Sequence, residues 1–351
     1  MRVFHSQGIK DEAQVGAARR SVHRYASRLG FNADQLCEID IVVQEMGTNA
    51  ARYAEGGGGL HWTTPLGDEP GLELFYCDQG PGIYDLERAI RDGVSSGGGL
   101  GTGFGAMRRL LDEFDAYSSI KGTARRLAPA RRPTHGTALL GRKWVAAPRG
   151  EKEGVRAARR LSKRVGAWSR PCPGEETNGD AYFIGEHDGE TLIAVVDGLG
   201  HGRGAQEAAQ AALDTLESWR GEALDEVVRA AHDAQRATRG AVMGAVVVDG
   251  ERGSFTYAGV GNVDVRVLGA QEPARPIPSN GTLGARLSQV RVWPHRWAEG
   301  TTLVLATDGV SASWDISAYP GLLGKSPQLI AGVLARDFSR ASDDATVLVY
   351  R

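Results

Sequence analysis

Apolar and small positions at Val15, Ala18, Val22, Tyr25 and Leu29 recur at the helical period and stop at Gly30, which predicts a helix over 11–30. Asn32 or Asp34 can cap a second helix reaching about Ala54, before the glycines at 56–59. Apolar runs at 60–64 and 72–77, with Pro-Gly punctuation between them, predict two strands. A short helix near 84–92, a helix over 104–114 and a strand near 137–145 complete this part.

Residues 146–154 carry proline, glycine and charge with little apolar periodicity, so the boundary is placed there. The expected division is a first domain over 1–146, a linker over 147–158 and a second domain over 159–351. Past the linker, strands at 181–186 and 191–196 precede a long alanine-rich helical stretch, 204–239. Strands follow at 241–248, 254–258, 263–268, 290–293 and 302–306, then a helix over 327–338 and a last strand over 345–350. Neither half shows regular βαβ alternation, which favours α+β sandwiches over a doubly wound parallel sheet.

At 351 residues the chain suits two domains, each large enough for its own core. Its 41% hydrophobic and 24% charged residues are those of a globular protein, and no apolar run approaches a membrane span. Residues 1–12 lack the apolar core of a secretory signal, and the three dispersed cysteines argue against a disulfide framework or a thiolate zinc site. A cytoplasmic setting is therefore expected. Net charge is −2, yet the stretch 121–164 is strongly basic, its only acids being Glu151 and Glu153. That band reads as a solvated connector or as a surface for an acidic partner, and nothing else suggests a nucleic-acid module.

Candidate chemistry appears in two places. Glu45 and Asn49 stand four apart on the second helix and so share a face. A carboxylate there can take the proton of an attacking hydroxyl, and an amide oxygen can ligate Mg²⁺. Alone, the pair is also an ordinary surface feature. Asp78-Gln79-Gly80-Pro81-Gly82 follows a strand, where an acid can accept the exocyclic amine of adenine. Gly97-Gly98-Gly99-Leu100-Gly101-Thr102-Gly103-Phe104-Gly105 then opens a helix whose free N–H groups favour phosphate.

This order resembles the histidine-kinase-like ATPase superfamily, and within it the anti-sigma-factor serine kinases, over about residues 1–146. The resemblance implies an ATPase α/β sandwich binding ATP with Mg²⁺. Asn49 would hold the metal, Glu45 would assist the acceptor hydroxyl and Asp78 would read adenine. Gly80, Gly82, Gly99, Gly101, Thr102 and Gly103 would line the phosphates. The Gly-Thr pair that usually enters the last strand has two candidates, Gly122-Thr123 and Gly136-Thr137. The second leads into the better strand, so Thr137 is preferred.

The other place is a series of acids. Asp197 ends an apolar run and precedes Gly198-Leu199-Gly200-His201-Gly202, and Asp308 follows another and precedes Gly309. Asp180 sits in Asn178-Gly179-Asp180, and Asp343-Asp344 precede the last strand. Each Asp-Gly alone is more often a turn. As a set they offer oxygen ligands for two Mg²⁺ or Mn²⁺ ions that activate a water. The series, with Tyr257-Ala258-Gly259-Val260-Gly261-Asn262, resembles the phosphatase 2C superfamily in its SpoIIE-like branch, over about 160–351. It implies an αββα sandwich in which Asp180, Asp197, Gly198, Asp308 and Asp343 hold metal, Asp197 and Asp308 being catalytic. Asp343 is preferred to Asp344 because the first acid of this pair is the usual ligand. His201 has a helix-capping role and an approach to phosphate as open alternatives. Asn178-Gly179 departs mildly from the more usual Gly-Gly or Gly-Asp.

Together the resemblances imply a fusion of an RsbT-like serine kinase and an RsbX-like phosphatase. Such a protein phosphorylates and dephosphorylates a small, STAS-like antagonist in bacterial stress or sigma-factor signalling. A sigma factor or a downstream phosphatase would be further partners, and no membrane is implied. The alternative is an ATP-binding anti-sigma or partner-binding switch without kinase activity, fused to the phosphatase.

Overall fold

The computed structural model describes residues 2–91, 103–121, 135–145, 153–270, 274–287 and 289–351. They form two compact units, Arg2–Gly166 with Asp315–Asp337, and Ala167–Trp314 with Phe338–Arg351. Both are α+β.

The first unit runs β1 (His5–Ile9), α1 (Glu12–Leu29), α2 (Ala33–Tyr53), β2 (Gly58–Thr63), β3 (Gly71–Asp78), α3 (Leu86–Ile90), α4 (Gly103–Leu110), β4 (Glu113–Ser119), β5 (Gly136–Trp144) and α5 (Glu153–Arg164). The strands make one antiparallel sheet in the order β1-β2-β3-β5-β4. Helix α1 starts where Asp11 accepts the N–H of Gln14 and stops at Gly30, whose φ of 93° ends it without a side-chain clash. Helix α2 starts at a full capping box between Asn32 and Gln35. The apolar stripes of both helices meet the sheet in one core that includes Val22, Val43, Met46, Leu74 and Tyr76.

Four features of this unit differ from what periodicity predicts. β1 was not expected, because His5, Ser6, Gln7 and Gly8 are polar or small, and its order comes from pairing with β2. The helix expected over 104–114 ends at Leu110, since Phe114 lies in β4 and pairs with Gly141 of β5. Within the basic stretch, Arg142 and Lys143 are core residues. Arg142 donates to Glu73 and Glu113, and Lys143 pairs with Glu38. Helix α5 occupies 153–164, partly inside the expected linker span.

The chain continues with β6 (Val165–Arg170), β7 (Asp180–His187), β8 (Glu190–Gly198), α6 (Arg203–Glu217), α7 (Leu224–Ala234), β9 (Ala241–Asp249), β10 (Ser254–Val260) and β11 (Asp264–Leu268). Then come β12 (Gly281–Thr282), β13 (Arg286–Leu287), β14 (Trp293–Arg296), β15 (Thr302–Ala306), α8 (Pro327–Phe338) and β16 (Ala345–Tyr350). One sheet has the order β14-β10-β9-β8-β7 and a second β11-β15-β16-β6. Helices α6 and α7 share a core with the first sheet. The two sheets approach closely at Gly244 of β9, where a Cβ would lie 3.2 Å from Val265 of β11.

The helical stretch expected over 204–239 is two helices, α6 and α7, separated around Gly221 with φ 98°. The strand expected at 290–293 is shifted to β14, where pairing with β10 rather than local apolarity sets its limits. Most of α8 packs in the first unit, although it is distant in sequence. Gly332 lies so near β3 that a Cβ there would be 2.2 Å from the Phe75 ring.

Candidate active sites

The nucleotide candidates of the first unit gather at one end of its sheet. Asp78 terminates β3, and three donors hold its carboxylate. Gly80 N and Thr137 N reach Oδ1 at 2.8 and 3.1 Å, and the Tyr76 hydroxyl reaches Oδ2 at 2.7 Å. The turn after β3 and the start of β5 therefore share one anchor. Their glycines are required by space. A Cβ on Gly136, at φ 129°, would sit 2.1 Å from the Asp78 carbonyl oxygen, and one on Gly82, at φ 80°, 2.2 Å from that of Ser119.

Glu45 and Asn49 lie half-buried on α2, one turn apart. The carboxylate of Glu45 lies against Gly103, the first residue of α4, where a Cβ would be 2.5 Å from Oε2. Asn49 Nδ2 is buried and has no hydrogen-bond partner among the described residues. An unsatisfied buried amide suits a ligand rich in oxygen. The structure thus brings Glu45, Asn49 and Gly103 to one part of α2–α4, and Asp78, Gly80, Gly82 and Thr137 to the adjoining strand ends. Gly99, Gly101, Thr102 and the rival pair Gly122-Thr123 lie outside the described residues. Tyr76, which fixes Asp78, was missed, since one more aromatic residue in a strand carries no signal.

In the second unit, Asp180 of β7 and Asp197 of β8 are direct cross-strand partners in an antiparallel pair. Like charges so placed repel, and burial strengthens the repulsion. β15 leads through Thr307 to Asp308, and Asp343 and Asp344 precede β16, which pairs with β15. Thr307 donates its hydroxyl proton to Asp180 Oδ2 at 2.7 Å, and Asn262 Nδ2 donates to Asp308 Oδ2 at 2.8 Å.

The two acids of the pair have different environments. Asp344 is 2% exposed and its carboxylate accepts from Cys172 N at 2.8 Å and Gly179 N at 3.0 Å, which is a structural duty. Asp343 is half-buried, bonded only to the Asp344 N–H among the side-chain bonds given by the described residues. The neighbouring glycines admit no side chain. A Cβ on Gly198 would lie 2.1 Å from the Ala205 carbonyl oxygen, and one on Gly309 1.6 Å from that of Asp344.

Burial, and then the charge of Asp197, lifts the Asp180 carboxyl well above the usual range. Burial, and then Asp308, Asp343 and Asp344, pushes Asp197 up to about 7. Burial and Asp308 also raise Asp343. Arg170 comes near but donates to the main-chain carbonyls of Asp343 and Arg340. The exposed His201 is paired through Nδ1 with Glu175 at 2.7 Å. Among the described residues no three His, Cys, Asp or Glu side chains already close around one point as a metal cage. The acids are instead in electrostatic reach of one another. A buried, all-oxygen, under-neutralised set of this kind suits a hard divalent cation. Asn262, Thr307, Glu175 and Arg170 were not assigned roles from sequence. Asn262 belongs to a quoted motif and Thr307 directly precedes Asp308, and those positions were the signal available.

A pH dependence follows for metal-free protein. The Asp197 carboxyl titrates near 7 when folded and near its ordinary 3.8 when unfolded. Between those values the folded state holds the extra proton, so stability falls as pH rises from about 4 to about 7 and is flat above. Thermal unfolding in a chelator should therefore show a lower melting temperature at pH 7.5 than at pH 5.5. An equal or higher one at pH 7.5 would contradict this charge cluster.

The family described as histidine kinase-like ATPase domain matches residues 10–128, and that described as stage II sporulation protein E (SpoIIE) matches residues 187–351. The serine/threonine-protein kinase RsbT of Bacillus subtilis (strain 168) is 33% identical over 138 residues, 39% of this chain and 93% of RsbT. The phosphoserine phosphatase RsbX of the same organism is 28% identical over 177 residues, 50% of this chain and 88% of RsbX. A solved structure described as the bacterial stressosome, a modular system adapted to control secondary messenger signalling, is 30% identical with a TM-score of 0.51. That match covers 54% of this chain and 98% of the other. Fold, sites and relatives together define a kinase-like ATPase domain joined to a phosphatase 2C-type domain. The chain belongs to the RsbT-like histidine kinase-like ATPases through its N-terminal part and to the RsbX-like SpoIIE phosphatases through its C-terminal part. No helix among the described residues is long and apolar enough to cross a membrane.

Proposed function

We propose that this chain is a bifunctional partner-switching regulator. Its N-terminal site transfers the γ-phosphoryl group of ATP to a serine or threonine of a small STAS-like antagonist. Its C-terminal site hydrolyses phosphoserine or phosphothreonine on such a protein, in cytoplasmic stress or sigma-factor signalling. The observation that carries the reading is the buried cross-strand carboxylate pair Asp180–Asp197 near Asp308 and Asp343, an arrangement with no structural benefit of its own.

In the first site Asp78 would accept from the adenine amine and Asn49 would hold Mg²⁺ on the triphosphate. Glu45 would take the proton of the acceptor hydroxyl as its oxygen attacks the γ-phosphorus and ADP departs. In the second, Asp180, Asp197, the Gly198 carbonyl, Asp308 and Asp343 would hold two Mg²⁺ or Mn²⁺ ions. Such ions supply charge neutralisation and a more acidic water. Water adds its oxygen to phosphorus, the serine oxygen leaves and takes a proton, and inorganic phosphate is released. Asn262 orients Asp308, and Thr307 orients Asp180.

The test uses the full chain, a candidate antagonist and ATP labelled at the γ-phosphate. With Asp197→Ala, which keeps the label from being hydrolysed, label is expected on serine or threonine with Mg²⁺, and the unaltered chain with Mn²⁺ is expected to release it as phosphate. No transfer to any STAS-type candidate would remove the kinase half, and no release from a labelled antagonist would remove the phosphatase half.

A further inference from the structure

The turn that carries Asp78 is gripped from far along the chain. Arg336, in the last turn of α8, donates from Nη1 to the Asp78 main-chain carbonyl at 3.0 Å. The rest of its guanidinium forks onto the neighbouring Asp337, with Nε to Oδ1 at 2.7 Å and Nη2 to Oδ2 at 2.8 Å. Asp337 also accepts the Tyr319 hydroxyl at 2.8 Å and, more weakly, Gln79 Nε2 at 3.5 Å. The two charged side chains are 5% and 0% exposed. Gly332 lets α8 lie directly on β3, against Phe75. All of these groups belong to the first compact unit.

A buried ion pair contributes little to stability compared with apolar residues of similar volume, because both charges lose water. Packing α8 on β3 therefore does not by itself call for Arg336 and Asp337. Their geometry does something more specific. The Asp78 carboxylate is fixed by Tyr76, Gly80 and Thr137 and its strand by pairing with Gly58, while its main-chain carbonyl accepts from Arg336. Asp337 locks the guanidinium plane by a two-point fork, and the donor left over points at that main-chain carbonyl.

We propose that Arg336, held by Asp337, is a positioning residue for the nucleotide site, so that α8 completes a pocket begun by the first 145 residues. The inference rests on the reading of Asp78 as the adenine contact. ATP affinity and adenine preference then depend on a side chain 258 positions from Asp78. Bound nucleotide must in turn stabilise the docked α8, since linkage is reciprocal.

The experiment measures binding of ATP and of GTP, each with Mg²⁺, to the full chain by calorimetry. Arg336→Ala should weaken ATP about tenfold or more, the scale of one charge-assisted hydrogen bond, and lower the preference for ATP over GTP. Arg336→Lys, which retains one cationic donor, should recover part of both. A change confined to fold stability would move neither the ATP-to-GTP ratio nor the recovery. Tyr319→Phe is the milder variant should Arg336→Ala not fold. It removes one bond to Asp337 and should weaken ATP about two- to fivefold. Unchanged ATP affinity and ratio in whichever of these variants folds would overturn the inference alone. No ATP binding by the unaltered chain would overturn the adenine reading and this inference with it.

Discussion

Replacing Asp197 with Ala is expected to lower metal-dependent hydrolysis of p-nitrophenyl phosphate by at least about a thousandfold, close to 4 kcal/mol of barrier. The same change should raise the melting temperature of the protein in a chelator. Both effects have one cause. In β7 and β8, Asp180 and Asp197 are directly opposed, and both carboxyls are lifted by burial and by neighbouring acids. Removing one relieves the burial of a charge and its repulsion by the neighbouring acids, together on the order of 1 to 3 kcal/mol without metal, since each unit of pKa shift corresponds to about 1.4 kcal/mol. Asp197→Asn should act similarly while keeping shape, which separates charge from packing. Asp308→Ala should match it in activity. Stabilisation by Mn²⁺, read as a shift in melting temperature, should shrink in each variant. Retained activity in both Asp197→Ala and Asp308→Ala would refute the metal assignment, and a lower chelator melting temperature in Asp197→Asn would refute the repulsion.

Local sequence carried much of this architecture where local forces decide it. The stop of α1 at Gly30 and the start of α2 at Asn32 were visible because a left-handed glycine and a capping side chain act within one turn. The limits of α8 and β16 were legible because their apolar patterns match their own periods. Where long-range pairing decides, the local pattern misleads. Polar β1 is a strand because β2 offers its edge, and Phe114 continues a helical pattern yet is claimed by β5. Arg142 and Lys143 looked like part of a solvated basic band but are buried with Glu73, Glu113 and Glu38, which come from three other elements. The sites divide along the same line. Asp197-Gly198 and Asp308-Gly309 announce themselves, because an acid followed by glycine at the end of an apolar run is a local pattern, although what crowds each glycine is set by the fold. Arg336 has no such pattern, and only the fold reveals what it holds.

Glu45→Ala should reduce phosphoryl transfer to the antagonist by about a hundred- to ten-thousandfold while ATP affinity changes less than tenfold. A general base acts on the acceptor hydroxyl only as the γ-phosphorus is attacked, so its loss falls on the rate and spares the ground state. The geometry allows this split. Asp78 and Thr137, at the strand ends, do not depend on Glu45, whose carboxylate lies instead against Gly103 at the start of α4. That same contact supports the rival reading, in which Glu45 senses the closure of α4 over nucleotide and the domain is a binding switch. The two readings part on the measurement. A kinase loses labelled product but keeps ATP binding by calorimetry. A switch makes no labelled product even before the change, and loses ATP-dependent capture of its partner after it. Glu45→Gln sharpens the distinction, because it keeps the side-chain length beside Gly103 yet cannot take a proton at neutral pH. Transfer lost in Glu45→Gln with partner capture intact would favour the kinase, whereas transfer undiminished in both variants would remove Glu45 from the chemistry.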